Sequence, residues 1–290
     1  MIRSALRYLK QHGPRAFYRR AMVAFGVEFV DRYSIDEVRI VVKVLGIKKY
    51  RGVMIDVGAH HGSASLPFCR AQWDVYCFEP DSCNRGILVK NISPYSNARI
   101  DSRAISNRKQ DAVTLYRSSQ STGISGLSAF HSSHVAADTV SVTTLKAVVN
   151  ENSIDRIDFL KVDTEGFDKF VLEGVPWESH PPKVIVAEFE DRKTQPLGYS
   201  FHDLAAYLAD KGYRVMVSEW EPVVAYGGRH RWADFKEYPC NLSSANAWGN
   251  FIASRDATVF QRIAAECDRI NNRMSKSNLN GAKPLNGDRM

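Results

Sequence analysis

Apolar residues recur at helical spacing near the start of the chain, at Ile2, Leu6 and Leu9, until Pro14 breaks the run. A second apolar stripe, Val38, Val41, Val42 and Leu45, predicts a helix over about 35–45. From Gly52 the pattern changes. Short apolar runs at 53–57, 75–78, 99–102, 157–162, 184–187, 213–217 and 249–253 predict strands, and the stretches 63–71, 82–92, 145–152, 165–173 and 201–211 between them predict helices. Regular alternation of this kind predicts an α/β fold, a parallel sheet with helices on both faces. Asp256 caps a last predicted helix carrying Val259, Phe260, Ile263, Cys267 and Ile270 on one stripe, and the polar tail beyond Asn271 is expected to be disordered.

Residues 112–143 interrupt the alternation. Val113–Tyr116 and Thr139–Val142 read as short strands around the polar run Ser118–Gly126. Long irregular segments inside compact domains are often lids or binding loops, so this insertion is a candidate cover for a site, with a disordered excursion as the alternative. The organisation expected is a helical extension (1–48), a ligand-binding domain (49–255) and a C-terminal helix and tail (256–290).

Composition narrows the class. Of 290 residues, 44% are hydrophobic and 24% charged, enough for a buried core. No apolar run approaches a membrane span, and the start lacks a signal-peptide pattern, so a cytoplasmic location is expected. Cys69, Cys77, Cys83, Cys240 and Cys267 form no CxxC pair, which argues for free thiols and against a zinc site. The net charge of +7 is partly concentrated in Arg3, Arg7, Lys10, Arg15, Arg19 and Arg20, with no acid before Glu28. Such a stretch is either a solvated helical extension or a helix that binds a polyanion or lies on anionic lipid, at the inner face of a membrane. Nothing in it matches a nucleic-acid module, and no nucleic-acid partner is expected.

The chemistry starts at Val53-Met54-Ile55-Asp56-Val57-Gly58-Ala59-His60-His61-Gly62, a strand running into a glycine turn. Glu79 closes the next strand 21 residues after Gly58, where a nucleotide-binding unit offers a carboxylate to a ribose. The turn reads Asp-x-Gly-x-x-x-Gly, and His60 and His61 stand where a pyrophosphate needs bare backbone. That disfavours NAD and FAD and suits an adenosine cofactor without phosphates, S-adenosylmethionine. A third strand ends in Lys161-Val162-Asp163-Thr164-Glu165-Gly166, placing two carboxylates at the ligand edge of the sheet as candidate base, hydroxyl-orienting group or metal ligands. Glu165 has a second reading, as the acid that opens a helix. The run Tyr226–Trp232 is aromatic and cationic and reads either as an acceptor-binding loop or as plain surface. His131 and His134 flank the polar insertion as weaker base candidates.

Together these segments resemble the FkbM-type family of S-adenosylmethionine-dependent methyltransferases. The resemblance rests on Ile55–Gly62, Phe78-Glu79-Pro80, Asn91-Ile92, Phe159–Gly166, Leu172-Glu173-Gly174, Glu188 and Trp248-Gly249-Asn250. It departs from the family at His60, where Asn is frequent. It implies a class I methyltransferase fold, a Rossmann-like three-layer sandwich whose mostly parallel seven-stranded sheet has an antiparallel last strand, and methyl transfer to an acceptor oxygen, often of a sugar or polyketide. Carried over by position, it implies that Asp56, Gly58, Ala59, His60 and Gly62 line the methionine end of the cofactor, that Glu79 binds the ribose and Ala104 lies near the adenine. Asp163 and Glu165 then sit by the methyl and a small-molecule or glycan acceptor, Asp163 as first candidate base. Three rivals stand beside it: a nicotinamide-dependent sugar enzyme, a metal-assisted methyltransferase using a divalent ion on Asp163 and Glu188, and a silent binding scaffold. The basic terminus carries its own test: vesicles rich in anionic lipid should pellet the full chain better than one lacking residues 1–30, and equal pelleting would remove the membrane reading.

Overall fold

The structure, a computed structural model, describes residues 31–281. The described residues divide into a larger unit, residues 36–269, and a smaller one to which residues 31–35 and 270–281 belong. The predicted helix before Pro14 and its basic residues lie outside the described residues, as does the chain beyond 281. Among the described residues no helix is long and apolar enough to cross a membrane.

The larger unit is built on an eight-stranded sheet. Its strands are β1 (Val53–Val57), β2 (Asp74–Phe78), β3 (Ala98–Asp101), β7 (Phe159–Val162), β8 (Val184–Glu190), β9 (Arg214–Trp220), β10 (Trp232–Glu237) and β11 (Trp248–Ser254), in the order β10-β9-β11-β8-β7-β1-β2-β3. The pairs β1/β2, β1/β7, β2/β3 and β7/β8 are parallel, whereas β11 runs antiparallel between β8 and β9. Seven of these strands match the expected arrangement. The eighth, β10, pairs antiparallel with β9 at the edge; its register shifts between Trp232 and Asp234, so the run Trp232–Glu237 lacks the period-two alternation that marks a strand in sequence.

Both faces of the sheet are covered, which is why its central strands read as unbroken apolar runs. One face carries Ile55, Val57, Leu160, Val162, Ile185, Ala187 and Phe251 against α4 (Leu145–Glu151) and α7 (Phe201–Asp210), whose Val148, Val149, Leu204 and Leu208 complete the core. Thr144 caps α4, and Ser200 with Asp203 forms a capping box on α7. On the other face Phe159 meets Phe68 of α2 (Leu66–Arg70), ring centroids 5.2 Å apart. There α1 (Glu37–Leu45) begins at the Asp36 cap and ends at Gly46 in the left-handed conformation. Buried Glu37 accepts hydrogen bonds from Ser218 Oγ (2.6 Å) and Trp220 Nε1 (2.9 Å), tying this helix to β9.

The insertion is ordered. β5 (Gln110–Ser118) and β6 (His134–Thr143) form a hairpin, and β4 (Ala104–Ile105) adds parallel to β6 to make a second, three-stranded sheet. The intervening polar run folds back through paired Tyr116 and Gly126 backbones and a short 3-10 turn, Thr122–Ile124. The strands exceed the sequence expectation because cross-strand pairing holds polar residues such as Gln110 and Arg117 in extended form. Two further expectations change. The final helix, α8 (Ala257–Gly281), continues ten residues past Asn271, where a disordered tail was expected. The helix expected from about Glu165 begins instead at Asp168, as α5 (Asp168–Glu173).

The ends of β1, β2 and β7 meet through glycine. Gly58 has φ 76°, and a Cβ there would stand 1.8 Å from the Asp163 carbonyl oxygen. Gly58→Ala is therefore expected to lose at least about 2 kcal/mol of unfolding free energy, from left-handed strain plus a backbone collision; urea denaturation monitored by circular dichroism measures it.

Candidate active site

A cavity of about 200 Å³ opens at the carboxyl ends of β1, β2 and β7, the position at which open α/β sheets bind ligands. Gly58, Ala59 and His60 line it from β1, Glu79 and Pro80 from β2, and Lys161, Asp163, Thr164 and Glu165 from β7. Ala104, Ile105 and Leu115 supply an apolar wall, and Thr122, Gly123, Ser125, Gly126 and Leu127 of the folded-back insertion close over it. The insertion is thus the cover of the site. Asn84 Nδ2 of α3 (Ser82–Ile92) holds it by donating to Thr122 O (3.0 Å), and Arg117 pairs with buried Asp81 (2.8 Å).

Glu79 joins two strand ends. Its carboxylate accepts the His60 amide (2.7 Å) on one oxygen and the Asp81 amide (2.9 Å) on the other. Burial nevertheless pushes its pKa up to about 7 against these two bonds. Acceptor capacity remains on both oxygens. His60 takes φ 49° at the tip of the turn, and its imidazole stacks on His61 (3.7 Å) and touches Thr122 Oγ1 (3.2 Å). Burial lowers the His60 pKa, favouring the neutral ring.

Asp56 and Gly62 do not line the cavity. Asp56 is fully buried one residue from the strand end; it accepts from Ser65 Oγ (2.6 Å) and pairs with Lys161 Nζ (3.6 Å). Gly62 is a packing glycine: a Cβ there would stand 2.7 Å from Leu88 Cδ1 of α3. Asp56 meets the cavity only through Lys161, its register partner on β7, which pairs with it and itself lines the cavity. His131 and His134 also stand away from the cavity lining: His134 Nε2 is 2.8 Å from Ile124 O, and His131 packs against Tyr226 (5.4 Å).

At the β7 end two carboxylates differ in environment. Asp163 pairs with Lys161 (3.1 Å) and remains 39% exposed on its side chain. Burial raises its pKa, but the Lys161 and Lys193 ammonium groups outweigh that and hold it below the ordinary value. Glu165 sits in a left-handed turn (φ 57°) and is pushed up to about 7, chiefly by burial. Behind it, Lys193 of α6 (Asp191–Thr194) contacts Glu165 (2.7 Å), Glu188 (2.9 Å) and Glu190 (3.0 Å). Tyr226 donates to Glu190 (2.9 Å), which brings the 226–232 loop against this cluster. Carboxylate oxygens of Asp163, Glu165 and Glu188 lie within 4.8 Å of one another, a hard-oxygen set, with the Lys193 ammonium bonded among them. The sequence reading missed both lysines. Lys161 carried a signal, a cation inside an apolar strand run; Lys193 sits in a polar stretch and carried none.

Fold and site define a nucleoside-binding class I methyltransferase. The FkbM methyltransferase domain matches residues 56–215, more than half of the chain, and the protein belongs to that family; its cofactor is S-adenosylmethionine. Among solved structures, the chain resembles precorrin-6y C5,15-methyltransferase from Geobacter metallireducens GS-15 (13% identity, 78% of this chain and 93% of that chain, TM-score 0.39). It also resembles the C-terminal domain of precorrin-6Y C5,15-methyltransferase from Rhodobacter capsulatus (16%, 78% and 94%, TM-score 0.36) and a SAM-dependent methyltransferase from Agrobacterium tumefaciens (9%, 77% and 63%, TM-score 0.38). No curated protein matches the sequence.

The cavity fits this cofactor. Asn84 Oδ1 and Thr164 Oγ1 are buried there without a hydrogen-bond partner, and Glu79 offers a carboxylate to a diol. A carboxylate that accepts ribose hydroxyls binds them best when ionised. Affinity for S-adenosylhomocysteine is therefore expected to fall as pH drops below about 7, the Glu79 pKa in the free site. Glu79→Gln should bind at least about tenfold more weakly above pH 7 and lose this pH dependence; titration calorimetry between pH 5.5 and 8.5 reads both.

Proposed function

We propose that the enzyme transfers a methyl group to the oxygen of a hydroxyl-bearing acceptor, a sugar, glycan or related small molecule. One observation carries this reading: the cavity that presents Glu79 also presents Asp163 and Glu165, two carboxylates whose surroundings push their pKa values apart. Separated pKa values at a paired site indicate a division of labour between acid–base and orienting groups.

Bound S-adenosylmethionine supplies a methyl group on a positively charged sulfur. The protein must align an acceptor oxygen with it and exclude water. Asp163, held ionised beside Lys161, accepts a hydrogen bond from the acceptor hydroxyl and orients it. Glu165, with its pKa near neutrality, takes the proton as the new C–O bond forms. The order of the two candidates thus reverses the sequence expectation, in which Asp163 was the first base, because Lys161 makes Asp163 the weaker one. The covering insertion and the rings of Phe130, His131 and Tyr226, which pack on one another at 5.4–5.9 Å, enclose the acceptor side and suit the apolar face of a sugar.

A thermal-shift panel with S-adenosylmethionine, S-adenosylhomocysteine and NAD tests the cofactor half. A saturating ligand, at about 100 times its Kd, adds roughly 2.7 kcal/mol, and stabilisation by NAD alone would contradict the reading. Transfer of labelled methyl to a panel of sugars and other hydroxyl compounds tests the acceptor half. With an acceptor in hand, kcat/KM should rise with pH to a plateau above about 7. Glu165→Gln should lower kcat by roughly 100-fold or more with unchanged S-adenosylhomocysteine affinity, and an Asp163→Ala variant with normal turnover would remove the orienting role.

A further inference from the structure

Three buried glutamates converge on one lysine. Glu165, Glu188 and Glu190 are each less than 9% exposed, and the Lys193 side chain is 3% exposed. The N–O separations of 2.7–3.0 Å place Nζ at the centre of the oxygen set. Asp163 borders the same set. The backbone holds this arrangement tightly: a Cβ on Gly166 would stand 3.1 Å from Lys193 Cβ, and the Phe130 and Tyr226 rings face the ammonium at 5.5 and 5.8 Å.

Several buried carboxylates share so small a volume only when a positive charge stands among them or protons neutralise them. In other proteins oxygen cages of this composition hold a divalent ion, which brings two charges and demands six or more oxygen ligands. Here the ammonium is covalently tethered, so no diffusible ion competes with it on equal terms; it donates to both oxygens of Glu188 (3.0 and 2.9 Å) and stands at ion-pair distance from Glu165 and Glu190.

We propose that Lys193 is the resident cation of the acceptor-side cage, standing where a divalent metal would otherwise bind, and that it is a positioning residue which fixes Glu165 beside the reacting oxygen. This inference rests on the acceptor-side reading of Glu165. Its test needs no acceptor and no turnover, so the two readings fail separately.

The full chain is titrated with Mn²⁺, followed by electron paramagnetic resonance, as wild type and as Lys193→Ala, Lys193→Arg and Lys193→Ala/Glu188→Gln variants, with S-adenosylhomocysteine binding as the check of folding. Wild type and Lys193→Arg should bind Mn²⁺ only weakly. Lys193→Ala should bind at least about tenfold more tightly, because the emptied cage matches a hard divalent ion, and adding Glu188→Gln should reverse the gain. A lysine with a packing role alone would not produce a metal site when removed. Tight Mn²⁺ binding by wild type, or no gain in a folded Lys193→Ala variant, would overturn the proposal. If Lys193→Ala does not fold unaided, millimolar Mn²⁺ should restore its S-adenosylhomocysteine binding, and failure to do so counts equally against the inference.

Discussion

No side chain fits between Gly58 and the carbonyl oxygen of Asp163, and the site depends on that contact. The β1 turn passes directly under the end of β7, so segments about a hundred residues apart share one ligand edge. The turn is pinned from its other side: the amides of Gly58 and Ala59 donate to Phe78 O at 3.0 Å, and the His60 amide reaches Glu79. Three strand ends therefore behave as one rigid corner, with backbone groups rather than flexible side chains setting the positions of Glu79 and Asp163.

That corner concentrates negative charge out of water, and the protein answers with two tethered cations. Lys161 lies between Asp56, Asp163 and the Gly58 carbonyl, and Lys193 lies among Glu165, Glu188 and Glu190. The two lysines do different work. Lys161 helps hold Asp163 below its ordinary pKa, while burial, with the neighbouring acids adding to it, outweighs Lys193 and raises Glu165 to about 7 and Glu188 well above its ordinary value. Neighbouring carboxylates thereby acquire distinct proton affinities within one cavity.

The covering insertion belongs to the same design. Its hairpin pairs with β4, just beyond the β3 end, and its tip is bonded to α3 and to the glycine turn through Thr122. The cover is thus attached to the cofactor-binding elements themselves, and through Phe130 and His131 it reaches the Tyr226 ring that faces Lys193. Cofactor pocket, cover and acidic cage form a continuous network of contacts.

Much of this was legible along the chain. Apolar runs and glycine placement located the strands, the turn and the acids at 79, 163 and 165, because buried parallel strands and left-handed turns restrict residue type locally. Other features were decided only in three dimensions. Asp56 looked like a ligand residue, yet it is fully buried against Ser65 and Lys161 and does not line the cavity. The polar strands β5 and β6 needed partners to become strands, and β10 needed the edge of β9. Lys193 had no local mark at all: its role comes from Glu165, Glu188 and Glu190, brought around it by the β7–β8 pairing and the short helix that follows. Local sequence determines backbone conformation and burial pattern; the proton affinity of a carboxylate depends on which charges fold against it, and that is a property of the tertiary structure.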